Sequence, residues 1–129
     1  MLDAEKDIVI KYRGKTIVGP VEHVRMIGPS GASRTVLARI DTGATKSSID
    51  VRLAALLELG PILKTKLVKS ASGKGRRAVV EAKLVLANKE FKTEFTLADR
   101  SDMKYPVLIG QNILSKGFLI DPMKESPKK

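Results

Sequence analysis

The sequence predicts a mainly β domain, built as a small closed barrel with one long hairpin and one or two short helices. Apolar, β-branched runs recur along the 129 residues and are separated by Gly and Pro turn signals. Residues 80–84 alternate strictly between apolar and charged side chains, as expected for a sheet that is wet on one face. Helical patterns are few and short, so we expect the strands to close on themselves.

The first half of the chain contains short strand-like runs, each followed by a turn signal. Gly14 and Gly19-Pro20 interrupt the first runs, which predicts two or three strands before residue 28. The next segments are expected to be a turn, a strand, a short return strand and a short helix, over residues 28–33, 35–40, 47–50 and 52–58, respectively. Ser48 or Asp50 can cap that helix, and Gly60-Pro61 ends it.

The second half predicts a long hairpin, a further strand and a compact C-terminal block. Strand-like runs over residues 62–70 and 77–87 flank a small, flexible segment. A strand after the Asn88 turn, a buried strand, a short helix and a last strand follow, over residues 89–98, 107–110, 111–117 and 118–121. The expected organisation is an N-terminal strand or extension, one domain and a disordered basic tail, over residues 1–15, 16–122 and 123–129.

Composition argues against several kinds of site. The chain has no Cys and a single His, His23, so disulfides and thiolate metal sites are excluded and a protein-built zinc site is not expected. A Ser-His-Asp triad would depend on His23, which lies in a strand-like run without a nucleophile motif. We therefore predict no metal and no cofactor. The N-terminus lacks the apolar core of a secretory signal, and the longest apolar run, residues 53–57, cannot span a membrane, which predicts a soluble, cytoplasmic protein.

The positive charge of the chain is large and uneven. The net charge is +10, and the segment from Pro61 to Val80 contains no acid and six bases, namely Lys64, Lys66, Lys69, Lys74, Arg76 and Arg77. Such a field attracts nucleic acid, acidic lipid or acidic polypeptide, and it is equally consistent with a solubilising surface. Nucleic acid is not the expected partner, because base stacking needs exposed aromatic side chains and the chain has only three Phe, two Tyr and no Trp.

An acid stands at the end of a predicted strand in the stretch ARIDTGATKSS. Aspartate is depleted from strands, and a Gly two residues later ends the ladder, so the turn presents the Asp41 carboxylate at the strand end. The Thr42 hydroxyl can bond backbone beside the acid. On its own this tripeptide also occurs in ordinary turns.

Two motifs together resemble the retropepsin group, the retroviral-type aspartic proteases. They are ARIDTGATKSSI and, after a hairpin in the place of the flap, YPVLIGQNIL. A bacterial and archaeal family named ATP-dependent zinc proteases, found alongside ATP-grasp glutamate ligases, is a closer match, because the block TLADRSDMKYPVLIGQNIL followed by FLIDP is similar to its C-terminal block. The resemblance covers about residues 16–122. With no Cys and one His, the aspartic label fits better than the zinc label.

The resemblance implies a homodimeric aspartic peptidase in which two copies of Asp41, one per subunit, share a proton and activate water. Thr42 would lock the two active-site turns together, and Gly43 would let the substrate backbone approach. A peptide or protein substrate would lie in a cleft lined by Ala44 and covered by the flap residues Ser70, Ala71, Ser72, Gly73, Lys74 and Gly75. Structural support under the turn would come from Leu108, Ile109 and Gly110.

Two departures from the retroviral pattern, at Thr45 and Gln111, put uncharged residues where an Asp and an Arg usually brace the dimer, which implies a weaker brace. The flap is also unusually basic, with Lys74, Arg76 and Arg77 near its tip, and this favours an acidic or glutamate-rich substrate. The alternative function is a retropepsin-fold dimer that binds peptides or proteins without cutting them.

Overall fold

The computed structural model describes residues 8–70 and 73–128. The predictions made for residues 1–7, for Ala71 and Ser72 at the hairpin tip, and for Lys129 lie outside the described residues. Within the described ranges the chain forms ten strands and two short helices, so the predicted mainly β fold is confirmed.

The elements follow one another in the predicted order. The strands are β1 (Lys11–Tyr12), β2 (Lys15–Val18), β3 (Val21–Ile27), β4 (Ser33–Ile40), β5 (Ser47–Asp50), β6 (Lys64–Ser70), β7 (Gly73–Leu86), β8 (Lys89–Ala98), β9 (Val107–Ile109) and β10 (Phe118–Ile120). The helices are α1 (Val51–Leu56) and α2 (Gln111–Leu114).

Six strands form a closed barrel, as the sequence predicts. Their order is β3-β4-β9-β5-β8-β7, and β7 pairs again with β3 to close the ring. The pairs β4–β9 and β5–β8 are parallel, whereas β5 runs antiparallel to β9. Strand β6 lies outside the ring and pairs only with β7, so these two strands extend from the barrel as the predicted flap hairpin.

The barrel is filled with aliphatic side chains from each of its strands, as expected for a chain with few aromatic residues. Phe95, Met26 and Ile49 are completely buried, and each such side chain contributes about 2 kcal/mol by leaving water. In β7 the alternation predicted around residues 80–84 is present, because Ala82 and Leu84 point into the core while their charged neighbours are exposed.

A second, three-stranded sheet joins the two ends of the described chain. Its order is β1-β2-β10, with β10 parallel to β2. Beyond β10, in the tail for which the sequence predicts disorder, Lys124 Nζ lies 2.6 Å from Oε2 of the buried Glu22. This ion pair holds the start of the tail against β3.

Helix α1 is shorter than the predicted helix over residues 52–58. The Asp50 carboxylate caps it by accepting a hydrogen bond from the Arg52 N–H, at 3.1 Å. Leu57, which follows the helix, is only 2% exposed and packs into the core. Its carbonyl oxygen then lies so close to Gly28 that no Cβ would fit at that position.

In the two described ranges, no helix has the length and hydrophobicity needed to cross a membrane.

Candidate active site

Asp41 lies directly after β4, at the end of the parallel β4–β9 pair. Its N–H donates to the carbonyl of Ile109, at 2.9 Å, and its own carbonyl accepts from the Ala44 N–H, at 3.3 Å. The side chain is half-buried. The backbone at Asp41 is therefore fixed from one side by β9 and from the other by its own turn.

The Asp41 carboxylate is held by the turn that follows it. Oδ1 accepts a hydrogen bond from the Gly43 N–H, at 2.9 Å. A Cβ added to Gly43 would lie 3.3 Å from the same oxygen, a tight contact that favours glycine there. Within the described residues the carboxylate forms no ion pair, so it is available to a substrate or to a second carboxylate.

Hydrogen bonds from the start of α2 brace this turn. Gln111 Nε2 donates to the Thr42 carbonyl, at 2.7 Å, and the Gln111 N–H donates to the Ala44 carbonyl, at 2.8 Å. The Asn112 N–H reaches the Thr45 carbonyl, at 3.2 Å. Gln111, which stands where the retroviral pattern has an arginine, thus stabilises the turn that follows Asp41.

A buried hydrogen-bond network lies next to the contacts between α2 and the turn. Ser47 Oγ accepts from the Gly110 N–H, at 2.9 Å, and donates to Asn112 Oδ1, at 2.8 Å. Ser47 is completely buried. The three predicted support residues lie in this region: Leu108 is half-buried, and both Ile109 and Gly110 are buried.

A cleft of about 420 Å³ opens between the Asp41 turn and the flap hairpin. Its lining comes from the turn, from β5, β8 and β9, from both hairpin strands, and from the loop after β8: Gly43, Ala44, Thr45, Lys46, Ser48, Lys66, Leu67, Val68, Lys69, Arg77, Thr96, Arg100 and Leu108. Five of these residues are basic and none is acidic. The cleft is therefore strongly cationic.

The predicted substrate-binding residues divide into two groups. Ala44 lines the cleft, as the resemblance implies. Gly73, Lys74 and Gly75 are exposed near the hairpin tip and do not line the cleft, while Ser70 pairs with Gly73 across the ladder. The stem of the hairpin, rather than its described tip residues, faces the Asp41 turn in this conformation.

Arg100 is the functional candidate that sequence reasoning missed, because the segment ADRSDMKYP reads as a polar loop. Its Nε donates to the Tyr105 carbonyl, at 2.9 Å, and its Nη1 donates to Ser48 Oγ, at 3.3 Å. Burial lowers the pKa of Arg100, an effect that the carboxylates of Asp50 and Asp41 oppose. No local pattern identifies this arginine, since its partners come from β5 and from the far end of the loop.

Asp50 anchors the same region as a buried anion. Its carboxylate accepts from the Arg52 guanidinium, with both contacts at 3.0 Å, and from the Arg100 N–H, at 2.8 Å. The Arg52 side chain, helped by the backbone N–H groups of Arg100 and Arg52 and opposed by burial, lowers the pKa of Asp50 to about 2.

We expect Asp50→Asn to destabilise the protein at neutral pH by up to about 2 kcal/mol, and the difference to disappear in acid. The folded-state pKa of about 2 lies below the ordinary value of 3.8. The charged carboxylate therefore contributes stability that is fully present above about pH 4 and is lost as the pH falls toward about 2. Asparagine preserves a cap acceptor, so the comparison isolates the charge.

Urea unfolding of both proteins across this pH range measures the effect of Asp50. Asp102→Asn, at an exposed carboxylate of the neighbouring loop, is the matched control and should change stability little at any pH. A difference between wild type and Asp50→Asn that stayed constant down to about pH 2 would contradict the expectation.

No group of three or more His, Asp or Glu side chains among the described residues is arranged to hold a metal ion.

A family model matches more than half of the chain. It is that of RimB-like proteins, the retropepsin-like aspartic endopeptidase RimB, and it matches residues 53–129. The matched part contains the flap hairpin, the Arg100 loop and the β9–α2 segment, whereas Asp41 precedes it. A comparison with curated proteins finds no match.

Two solved structures resemble this one. The crystal structure of Lpg0085, a protein with unknown function (DUF785) from Legionella pneumophila, has a TM-score of 0.60 and 22% identity, covering 85% of this chain and 95% of that chain. The solution structure of simian foamy virus (mac) protease has a TM-score of 0.51 and 17% identity, covering 72% of this chain and 89% of that chain. Likeness at these identities establishes the fold, which is that of the retropepsins.

Proposed function

This chain belongs to the RimB-like family of retropepsin-like aspartic endopeptidases, and we propose that it is itself an aspartic peptidase that works as a homodimer. The observation that carries the proposal is the Asp41 carboxylate, presented at a strand end by a braced turn whose next residues, Gly43 and Ala44, line an open cleft. The alternative of a non-cleaving peptide-binding dimer is separated from this proposal by the Asp41 variant considered in the Discussion.

The chemistry needs a second carboxylate, and the described part of one subunit offers no equivalent of Asp41. Asp99 and Asp121 are exposed and accept hydrogen bonds from Ser101 and Met123 in their own local turns. We therefore assign the second carboxylate to Asp41 of another copy, related by a two-fold axis.

One of the two carboxylates acts as a general base and the other as a hydrogen-bond donor. The ionised one takes a proton from water while the water oxygen bonds to the scissile carbonyl carbon, and the neutral one donates a hydrogen bond to the carbonyl oxygen. When the tetrahedral intermediate collapses, the C–N bond breaks and the proton passes to the leaving nitrogen.

Exposed apolar side chains on the three-stranded sheet support the homodimer. Ile10 and Tyr12 are each 53% exposed, and Leu119 is 37% exposed. Exposed apolar side chains in and next to one small sheet are candidates for an interaction surface. Joining two copies through this sheet would remove these side chains from water.

The lining of the cleft supports an acidic substrate. Its five basic residues, Lys46, Lys66, Lys69, Arg77 and Arg100, face no acid of the lining. A cationic cleft concentrates anionic chains and disfavours cationic ones. Glutamate-rich peptides, such as the tails that ATP-grasp glutamate ligases add, are the substrates that we expect.

We expect a glutamate-rich peptide to be cleaved with a kcat/KM at least about tenfold above that of the same peptide with glutamine in place of glutamate. The preference should shrink as salt is raised, because salt screens exposed charges. Product formation is measured by mass spectrometry at low and high ionic strength, with the neutral peptide as the salt control. Equal cleavage rates for the glutamate and glutamine peptides, at low and at high salt, would remove the acidic substrate and leave the peptidase proposal intact.

A further inference from the structure

Arg100 is held differently from the other bases of the cleft. Its guanidinium is tied to the Tyr105 carbonyl and to Ser48 Oγ, and its N–H is tied to the Asp50 carboxylate. These partners lie on β5 and on a loop packed against the barrel, so the position of the guanidinium is set by the fold.

The lysines of the cleft have no such anchoring. Lys66 and Lys69 lie on β6, outside the barrel ring, and Lys46 lies in the exposed part of the catalytic turn. Within the described residues, none of these three side chains forms a hydrogen bond or an ion pair. They create a diffuse positive field, whereas Arg100 is a fixed donor group.

The charge of Arg100 has no carboxylate partner of its own in the described residues. Both acceptors of its guanidinium, the Tyr105 carbonyl and the Ser48 hydroxyl, are neutral. The nearby Asp50 carboxylate is occupied by the Arg52 guanidinium and by backbone N–H groups. The Asp50 and Asp41 carboxylates act on this half-buried charge without bonding to the guanidinium. The charge therefore remains costly, and an anion bound directly to it would offset that cost.

The position of Arg100 places such an anion at the active site. Arg100 lines the same cleft as Gly43 and Ala44, which directly follow the catalytic acid and Thr42. Arginine presents its N–H groups as a planar fork that matches a carboxylate through two parallel hydrogen bonds. Nη2 has no acceptor among the described residues, so one arm of this fork remains for a ligand.

We propose that the Arg100 guanidinium is the binding site for a glutamate side-chain carboxylate of the substrate, in the subsite next to the scissile bond. The inference rests on the proposed function and makes Arg100 the residue that selects a glutamate side chain in the substrate. Asp50, Ser48 and Tyr105 position Arg100. The bases of the hairpin that line the cleft form no ion pair among the described residues and contribute only to long-range attraction.

The test compares two peptides that are identical except for one residue next to the cleaved bond. That residue is glutamate in one peptide and glutamine in the other. In the Arg100→Gln variant, kcat/KM for the glutamate peptide should fall about 30-fold, as expected for the loss of a charge-assisted hydrogen bond. The value for the glutamine peptide should change less than about threefold, so the preference disappears. Arg100→Lys, which keeps the charge but loses the fork, should retain only part of the preference.

Two control variants remove one positive charge each. Lys69→Gln, in the flap hairpin, should weaken the glutamate preference only slightly and only at low salt. Arg34→Gln, at an exposed position of β4 outside the cleft lining, should leave it unchanged. Circular dichroism and thermal unfolding establish that each variant is folded, and Arg100→Lys replaces Arg100→Gln if the latter is not. Equal losses on both peptides in the Arg100 variants would reduce Arg100 to a structural residue and overturn the proposal.

A binding measurement separates this inference from the peptidase proposal. A fluorescent glutamate oligopeptide is titrated into Asp41→Asn protein with and without Arg100→Gln, and the Kd should rise about 30-fold in the double variant. Binding that depends on Arg100, without cleavage by the wild type, would remove the peptidase and keep the carboxylate site. Cleavage without any dependence on Arg100 would keep the peptidase and remove the carboxylate site. Tighter Arg100-dependent binding of a phosphoserine peptide would overturn the carboxylate assignment.

Discussion

Asp41→Asn is expected to reduce the rate of peptide cleavage by about 10⁴-fold while leaving the fold intact. An amide can neither take the proton from water nor share one with a second acid. The backbone hydrogen bonds that position the residue, to Ile109 and from Ala44, do not involve the side chain, and the Asn oxygen can still accept from the Gly43 N–H. Single-turnover cleavage and thermal unfolding measure the two effects separately.

The same variant distinguishes the two functions that the motif allows. A binding module would bind a glutamate-rich peptide about equally with Asp41 or Asn at this position and would show no cleavage in either form. A peptidase would lose turnover and keep binding. Retention of full cleavage by Asp41→Asn would place the reaction elsewhere and end the aspartic proposal.

Mixing wild-type and Asp41→Asn subunits tests whether the two acids come from two copies. If each active site needs both, an equal mixture of freely exchanging subunits should show about a quarter of the wild-type activity, because only that share of the dimers carries two acids. An enzyme active as a single subunit would show about half. Analytical ultracentrifugation of the same samples measures the fraction of dimer.

Gly110→Ala is expected to destabilise the protein by about 3 kcal/mol and to lower the unfolding temperature by about 10 °C. A Cβ at this position would collide with the backbone carbonyl oxygens of Lys46 and Ala44, the latter at 2.7 Å. Backbone on both sides cannot yield as a flexible side chain would. Because Ala44 belongs to the catalytic turn, we also expect the variant to lose activity beyond the loss explained by unfolding.

Gly75→Ala is the matched control for the Gly110 variant. A Cβ at Gly75 would meet no atom within 4 Å, and the backbone there lies outside the left-handed region. Its effect on stability should stay within about 0.5 kcal/mol. A Gly110→Ala protein as stable as wild type would show that the turn and β9 are not packed as tightly as the structure has them.

The local features of this protein were predictable because they depend on neighbouring residues. The alternation in β7, the turn at Asn88 and the cap at Asp50 follow from side-chain period and turn chemistry, which act over a few residues. The length of α1 was not predictable in the same way. The helix ends where Leu57 packs into a core assembled from distant strands and Glu58 takes a left-handed backbone conformation, with φ of 56°.

The same distinction between neighbouring and distant residues applies to the candidate site. The DTG tripeptide at the end of β4 could be found from the sequence, because an acid followed by a glycine turn is a local pattern. Its support could not be found from local pattern alone. The bonds of Asp41 to Ile109 and of Thr42 to Gln111 join segments more than sixty residues apart, and only the parallel β4–β9 pairing brings them together.

By itself, the sequence determined the mainly β character of the chain, the flap hairpin, the positive charge of that hairpin and the identity of one acid at a strand end. The tertiary structure alone decided that the barrel closes through β3 and β7, that the stem of the hairpin faces the catalytic turn, and that Arg100 lies in the cleft. The physical reason is that strand period and turn geometry are properties of short segments. The surroundings of a charge, in contrast, depend on which distant segments exclude water from it.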